Sequence, residues 1–256
     1  MAISLADIKR SVSGAPRIVF YGVQGIGKST FAAMAEAPVF IPIEDGCGDL
    51  TDPEGTPLHV EAFPRPDTYS EVLECIGSLA VGEHNFRTCV IDSLDKLEPM
   101  LWDYVCKEHS KKSIEDFGYG KGYTIALKEW RNLLDGLDAL RARGMATILL
   151  AHSAVVKVEP PETDPYDRYQ MRLHKSADAT VCEWADAVLF ANYKVTTVSS
   201  GGQGSERRRG ISDGSRVICT TERAAWRAKN RYRMPDQLPL DWAAVSQYLP
   251  KINQPV

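Results

Sequence analysis

Three things are missing from this chain of 256 residues. Its six cysteines (Cys47, Cys75, Cys89, Cys106, Cys182, Cys219) form no C-x-x-C pair, and several lie in apolar runs where a reduced thiol packs as a small hydrophobe. That argues against a zinc centre or a disulfide framework. No apolar run approaches the ~20 residues of a membrane helix, and Met1–Arg10 lacks the long apolar stretch of a signal peptide. A cytoplasmic protein with no membrane partner is expected. No segment repeats, so a repeat architecture is not expected either.

What is present is ordinary in bulk: 44% hydrophobic and 25% charged residues, in a length that suits one large domain over 1–256. The net charge of −4 is unevenly spread. Arg207 to Arg233 holds nine basic residues against Asp213 and Glu222, a local +7 in a remainder of −11. Such a segment suits a polyanion or an acidic neighbouring subunit.

The run Gly22-Val23-Gln24-Gly25-Ile26-Gly27-Lys28-Ser29 fits G-x-x-x-x-G-K-[ST] without a mismatch. An apolar, β-branched run (Arg17–Tyr21) leads into it, and a helix-compatible run from Ser29 to Glu36 follows. Strand, Gly-rich loop and helix are the context a phosphate-binding loop needs. The glycines open backbone conformations that let successive N–H groups converge on one anion. Lys28 is expected at the β- and γ-phosphates and the Ser29 hydroxyl on Mg²⁺, and with Thr30 these residues make the expected nucleotide-binding set. A nucleoside triphosphate, ATP with Mg²⁺, is the expected ligand.

Apolar β-type runs alternate with helix-period runs, the pattern of an α/β fold with a mainly parallel sheet. Strands are expected at Pro38–Ile43, Thr88–Ile91, Ala146–Ala151 and Ala187–Phe190. Helices are expected from Asp67 to Gly82, Leu94 to Glu108, Thr124 to Arg143 and Ser176 to Trp184. The segment from His109 to Tyr123 reads as an exposed excursion, and residues 155 to 173, rich in Pro and charge, read as a mobile connection. Ser199 to Gly214 reads as a flexible loop joining a hairpin, and Trp226 to Arg231 as a last strand.

Thr88-Cys89-Val90-Ile91-Asp92 is an apolar strand ending in a carboxylate, placed to hold Mg²⁺ at the sheet's C-terminal edge. Ser93 follows where many P-loop ATPases carry a glutamate that activates water. The general base must then come from elsewhere. Glu44, at the end of the strand after the loop's helix, is the candidate if that strand neighbours the P-loop strand. His152 ends the next strand at the same edge, where an imidazole can hydrogen-bond the γ-phosphate or the attacking water.

Together these pieces resemble the RecA-like core of P-loop ATPases, and in particular small phage-encoded RecA-core ATPases of the single-strand annealing type. Phosphate loop, Ile91-Asp92-Ser93, Leu150-Ala151-His152-Ser153 and Ala228-Lys229-Asn230-Arg231-Tyr232 recur there in that order, over roughly 17 to 235. RecA-type recombinases place Gln or Asn where His152 stands. The resemblance implies that Lys229 and Arg231 reach into a neighbouring subunit's ATP, in a ring or filament. A cation supplied in this way is worth ~10³–10⁵ in rate in GTPases. It further implies work on single-stranded DNA, with a single-strand-binding protein as accessory partner, in the host cytoplasm.

DNA would meet Lys107, Lys111, Lys112, Tyr119, Lys121 and Tyr123 after Asp92, and Lys157, Tyr166, Arg168, Tyr169, Arg172 and Lys175 after His152. A ring-forming motor or loader and a RecA-core regulator of a protein partner remain as alternatives. A small-molecule kinase is disfavoured, since nothing resembles an Arg-bearing lid.

Overall fold

The computed structural model describes residues 13–52, 54–200 and 207–250. Strand β1 (Arg17–Gly22) feeds the glycine loop and helix α1 (Lys28–Ala33). Then come β2 (Pro38–Pro42), β3 (Glu61–Ala62), α2 (Tyr69–Val81), β4 (Thr88–Asp92) and α3 (Leu94–Glu108). A 3₁₀ turn at Ile114–Phe117 precedes α4 (Lys121–Ala142), β5 (Ala146–Val158), β6 (Tyr166–Met171) and α5 (Lys175–Trp184). The chain continues as β7 (Ala187–Ser200), β8 (Arg207–Cys219), β9 (Lys229–Asn230), β10 (Gln237–Pro239) and α6 (Trp242–Ser246).

The sheet runs β10-β8-β7-β1-β5-β4-β2-β3, with β6 on β5 and β9 on β7. From β7 to β3 every pairing is parallel; β6, β8, β9 and β10 are antiparallel additions. This is the expected α/β P-loop fold with an antiparallel C-terminal extension. Strands covered on both faces read as continuous apolar runs, which is why β1, β4 and β5 were legible. In β1, Val19 and Tyr21 enter one core cluster and Ile18 and Phe20 the other. Helices α2 to α5 cover the first face, while α1 and α6 pack on the second.

Local chemistry sets the helix ends. Thr68 accepts from the Glu71 N–H at 3.3 Å, and Glu71 accepts from the Asp67 N–H at 2.7 Å, so α2 starts two residues after Asp67. Val72, Ile76 and Leu79 form its buried stripe. Helix α4 buries Trp130, Leu133, Leu134, Leu137 and Leu140, and Gly144 (φ 84°) follows its end.

Several expectations need correction. The strand carrying Glu44 does not neighbour the P-loop strand: β5 and β4 lie between β1 and β2. Residues 155 to 173 are not a structureless connection. They extend β5 into an antiparallel hairpin with β6, from Ser153 opposite Met171 to Val158 opposite Tyr166. The hairpin is anchored from a distance, since the Tyr169 N–H donates to Ala225 O at 2.8 Å and its ring stacks on Phe190 at 5.0 Å.

Part of the excursion at 109–123 is also ordered, as a 3₁₀ turn whose Ser113–Asp116 capping box precedes a helix beginning three residues early. The second hairpin pairs out to Ser200 opposite Arg207, leaving only 201–206 of that loop outside the described residues. The expected last strand shrinks to Lys229–Asn230, where two residues find partners on β7.

Candidate functional site

Strand register brings the site together. Gly22 lies opposite His152 on one side and Ala191 on the other, and Pro42 lies opposite Asp92. The ends of β1, β5, β4 and β2 therefore share the C-terminal edge where parallel sheets bind ligands. Glycine is required at position 22, because a Cβ there would stand 2.4 Å from Ala191 O. Gly27 (φ 105°) takes the left-handed conformation that turns the chain into α1. Ile26 is fully buried and pins the loop to the second core cluster, while Gln24 stays exposed.

One cleft of about 220 Å³ is lined by Gly25, Gly27, Lys28, Ser29, Thr30, Glu44, Leu50, Asp92 and His152. Lys28 is 7% exposed and folds back on the loop, donating to Val23 O at 3.2 Å. Burial lowers its pKa, and Asp92, Asp95 and Glu44 oppose that fall. Ser29 Oγ donates to Asp92 Oδ2 at 2.6 Å. Burial pushes the Asp92 carboxyl up, Ser29 works against this, and Glu44 adds to it. Two carboxylates and one ammonium thus face the same small volume.

Glu44 converges by a route other than the expected one. The Asp92 carbonyl accepts from the Ile43 N–H at 2.6 Å and the Glu44 N–H at 3.2 Å, so β4 itself carries Glu44 to the cleft. His152 is held from α3: its backbone N–H donates to Asp95 Oδ1 at 2.8 Å and its ring Nδ1 lies 2.9 Å from Asp95 Oδ2. Asp95 was not singled out in the sequence, where an acid in a first helical turn reads as a response to the helix dipole.

Arg216 was also missed. From β8, its Nη1 donates to Ile26 O in the loop at 3.1 Å. An adjoining cleft of about 290 Å³ shares Gly25, Gly27 and Thr30 and adds Phe31, Met34, Arg216, Leu240 and Trp242. Trp242 meets Phe31 edge-on at 5.3 Å.

Lys229 and Arg231 are not in this site. Lys229 lies on β9 opposite Val188 at the start of β7, with Arg231 one residue beyond β9, at the edge of the sheet away from the loop. Lys229 donates to the carbonyls of Cys182 and Glu183 at 2.9 and 2.8 Å, closing the end of α5. Arg231 shares Asp186 with Arg17 and Arg141.

Of the cations and aromatics in the two connections, Lys107, Lys111, Lys112, Tyr119, Lys121, Lys157, Arg172 and Lys175 are exposed. Three others are engaged within the chain: Tyr123 stacks on His174, Arg168 pairs with Glu222, and Tyr169 stacks on Phe190. The Tyr123–His174 stack, 4.0 Å between the centroids of nearly parallel rings, joins the two connections to each other.

No cluster of three metal-ligating side chains occurs among the described residues, and their cysteines are all free. No helix among the described residues is long and apolar enough to cross a membrane. A family model described as an AAA domain matches residues 15–232, which takes in the loop, Glu44, Asp92, His152 and β9. No curated protein matches the chain.

Proposed function

The chain belongs to the AAA domain family and is thus an AAA-type P-loop ATPase; from that premise we propose a Mg²⁺-dependent ATPase that works on single-stranded DNA in recombination or annealing. The observation that carries the catalytic part is the single cleft shared by Lys28, Ser29, Glu44, Asp92 and His152. Lys28 and the loop N–H groups receive the phosphates, and the adjoining cleft beside Phe31 and Trp242 receives the nucleoside. Ser29 Oγ and Asp92 Oδ2, hard oxygen donors 2.6 Å apart, suit Mg²⁺, which when bound offsets charge on the transferred phosphoryl. Glu44 positions the attacking water and accepts its proton.

The DNA part is supported by where the exposed cations lie. The hairpin β5–β6 leaves the sheet at the nucleotide edge, directly after His152, and the α3–α4 connection touches its base through Tyr123 and His174. Exposed Lys and Arg on both suit a phosphate backbone. Lys229 and Arg231, on the opposite edge, would meet only a neighbouring subunit's nucleotide.

ATP turnover and DNA binding at low salt, each with single-stranded and duplex DNA, test the proposal. Single strands should bind better, with a steep loss as salt rises, and should raise turnover. Turnover without any DNA binding in the presence of ATP would remove the recombination reading and leave the ATPase.

A further inference from the structure

Asp95 does not line the cleft, yet it holds His152 at two atoms, the backbone N–H and ring Nδ1. It lies in the first turn of α3, three residues beyond Asp92. Oδ1 accepts the His152 backbone N–H at 2.8 Å, and ring Nδ1 lies 2.9 Å from Oδ2 and 3.2 Å from Oδ1. The Asp95 side chain is 3% exposed and that of His152 13%. Burial pushes the Asp95 carboxyl up, but the hydrogen bonds from His152 outweigh it and hold it at about 2. It is therefore an ionised, acceptor-only group, and the ring nitrogen facing it carries a proton. Nε2 has no hydrogen-bond partner among the described residues, and His152 lines the cleft with Lys28, Ser29, Glu44 and Asp92.

We propose that Asp95 is a positioning residue for hydrolysis: it fixes His152 with the proton on Nδ1, so that Nε2 meets the cleft as a lone pair that orients the attacking water. The proposal rests on the reading of the cleft as a hydrolytic nucleotide site. In the step, water donates one O–H to Nε2 and the other to Glu44. Its oxygen forms the bond to Pγ while the bond from Pγ to the β–γ bridging oxygen breaks, and that electron pair leaves on ADP. The proton goes to Glu44; Nε2 holds direction and gains nothing covalently.

A simpler role for Asp95, accepting the His152 N–H to fix β5 where it passes from the parallel sheet into the hairpin, makes a different prediction for one variant. Asp95→Asn keeps an oxygen for that N–H, but its amide donates to Nδ1 and moves the ring proton to Nε2. The water then faces a donor instead of an acceptor. Turnover number should fall on the order of 10²-fold, with KM within about twofold and the protein still folded at the assay temperature by circular dichroism.

The ring itself gives the second readout. Nitrogen-15 shifts of His152 in the nucleotide-free protein should report protonated Nδ1 in the parent and protonated Nε2 in Asp95→Asn. A parent ring protonated on Nε2 alone, or an Asp95→Asn protein with parental kcat, would overturn the proposal. Failure of the unmodified protein to turn over ATP would instead sink the reading of the cleft, and the tautomer measurement would still decide what Asp95 does to His152.

Discussion

At the scale of single residues, the phosphate loop, Asp92, Glu44 and His152 were legible because each is a chemical type at the end of an apolar run. Asp95 and Arg216 were not, because each acts on an atom distant in sequence, His152 Nδ1 in one case and Ile26 O in the other. Two substitutions test the cleft. Lys28→Ala removes the one ammonium among the cleft-lining side chains and should cost on the order of 10²–10³ in turnover, the scale of losing one preorganised donor. Parental turnover by that variant would remove the phosphate-loop assignment. Glu44→Gln should still bind ATP, measured by equilibrium titration, while hydrolysis drops by ~10²–10⁴ if Glu44 is the base. Should the glutamine variant turn over normally, the proton goes elsewhere, and His152 becomes the first group to test.

At the scale of elements, helices α2 to α5 could be read from their apolar stripes, since their packing obeys a local period. The β5–β6 hairpin could not. Pro160 and Pro161 and the surrounding charge look like a loop, and what orders the strands is remote: the backbone of Ala225 and Arg227, the ring of Phe190, and a carboxylate on α3. That carboxylate is Glu98, 5% exposed, accepting from the His174 N–H at 2.9 Å just beyond β6. With Asp95 one helical turn earlier on His152, α3 ties down both ends of the hairpin.

Burial raises the Glu98 carboxyl from 4.5 to about 7, with Asp95 and Asp178 adding to the rise and the His174 N–H opposing it. A raised acid stabilises fully below its unfolded pKa and loses that contribution as pH climbs through the folded one. The parent should thus lose stability between pH 5 and 8 relative to Glu98→Gln, which cannot ionise but keeps an acceptor for His174. On the order of 1–3 kcal/mol should separate the two at pH 8 beyond any difference at pH 5, read from melts at both. An offset independent of pH would show that Glu98 does not titrate in this window.

At the scale of the whole molecule, the fold class followed from alternating strand and helix patterns, but strand order did not. Nothing in a sequence shows that β5 and β4 insert between β1 and β2, and the convergence of Glu44 on the cleft depends on that insertion. The same order separates the nucleotide edge from the edge that carries Lys229 and Arg231. A monomer therefore keeps these cations away from its own cleft and occupies them: Lys229 on the last carbonyls of α5, Arg231 on Asp186. The two are not equal as probes. Lys229→Ala strips two helix-end carbonyls of their donor and risks the fold. Arg231→Ala leaves Asp186 paired with Arg17 and Arg141, and the Arg231 side chain is already 55% exposed. Arg231 is the cleaner test of assembly. If it serves a neighbour's nucleotide, Arg231→Ala should bind ATP with parental affinity yet lose hydrolysis, and Lys28→Ala should lack hydrolysis for the opposite reason. Random mixing of the two in a head-to-tail assembly would pair an intact loop with an intact arginine at about a quarter of the interfaces. Turnover of the mixture should then rise well above that of either protein alone, measured after subunit exchange has been verified by mass. Lack of rescue in verified mixed oligomers would leave Arg231 as a structural partner of Asp186 and nothing more.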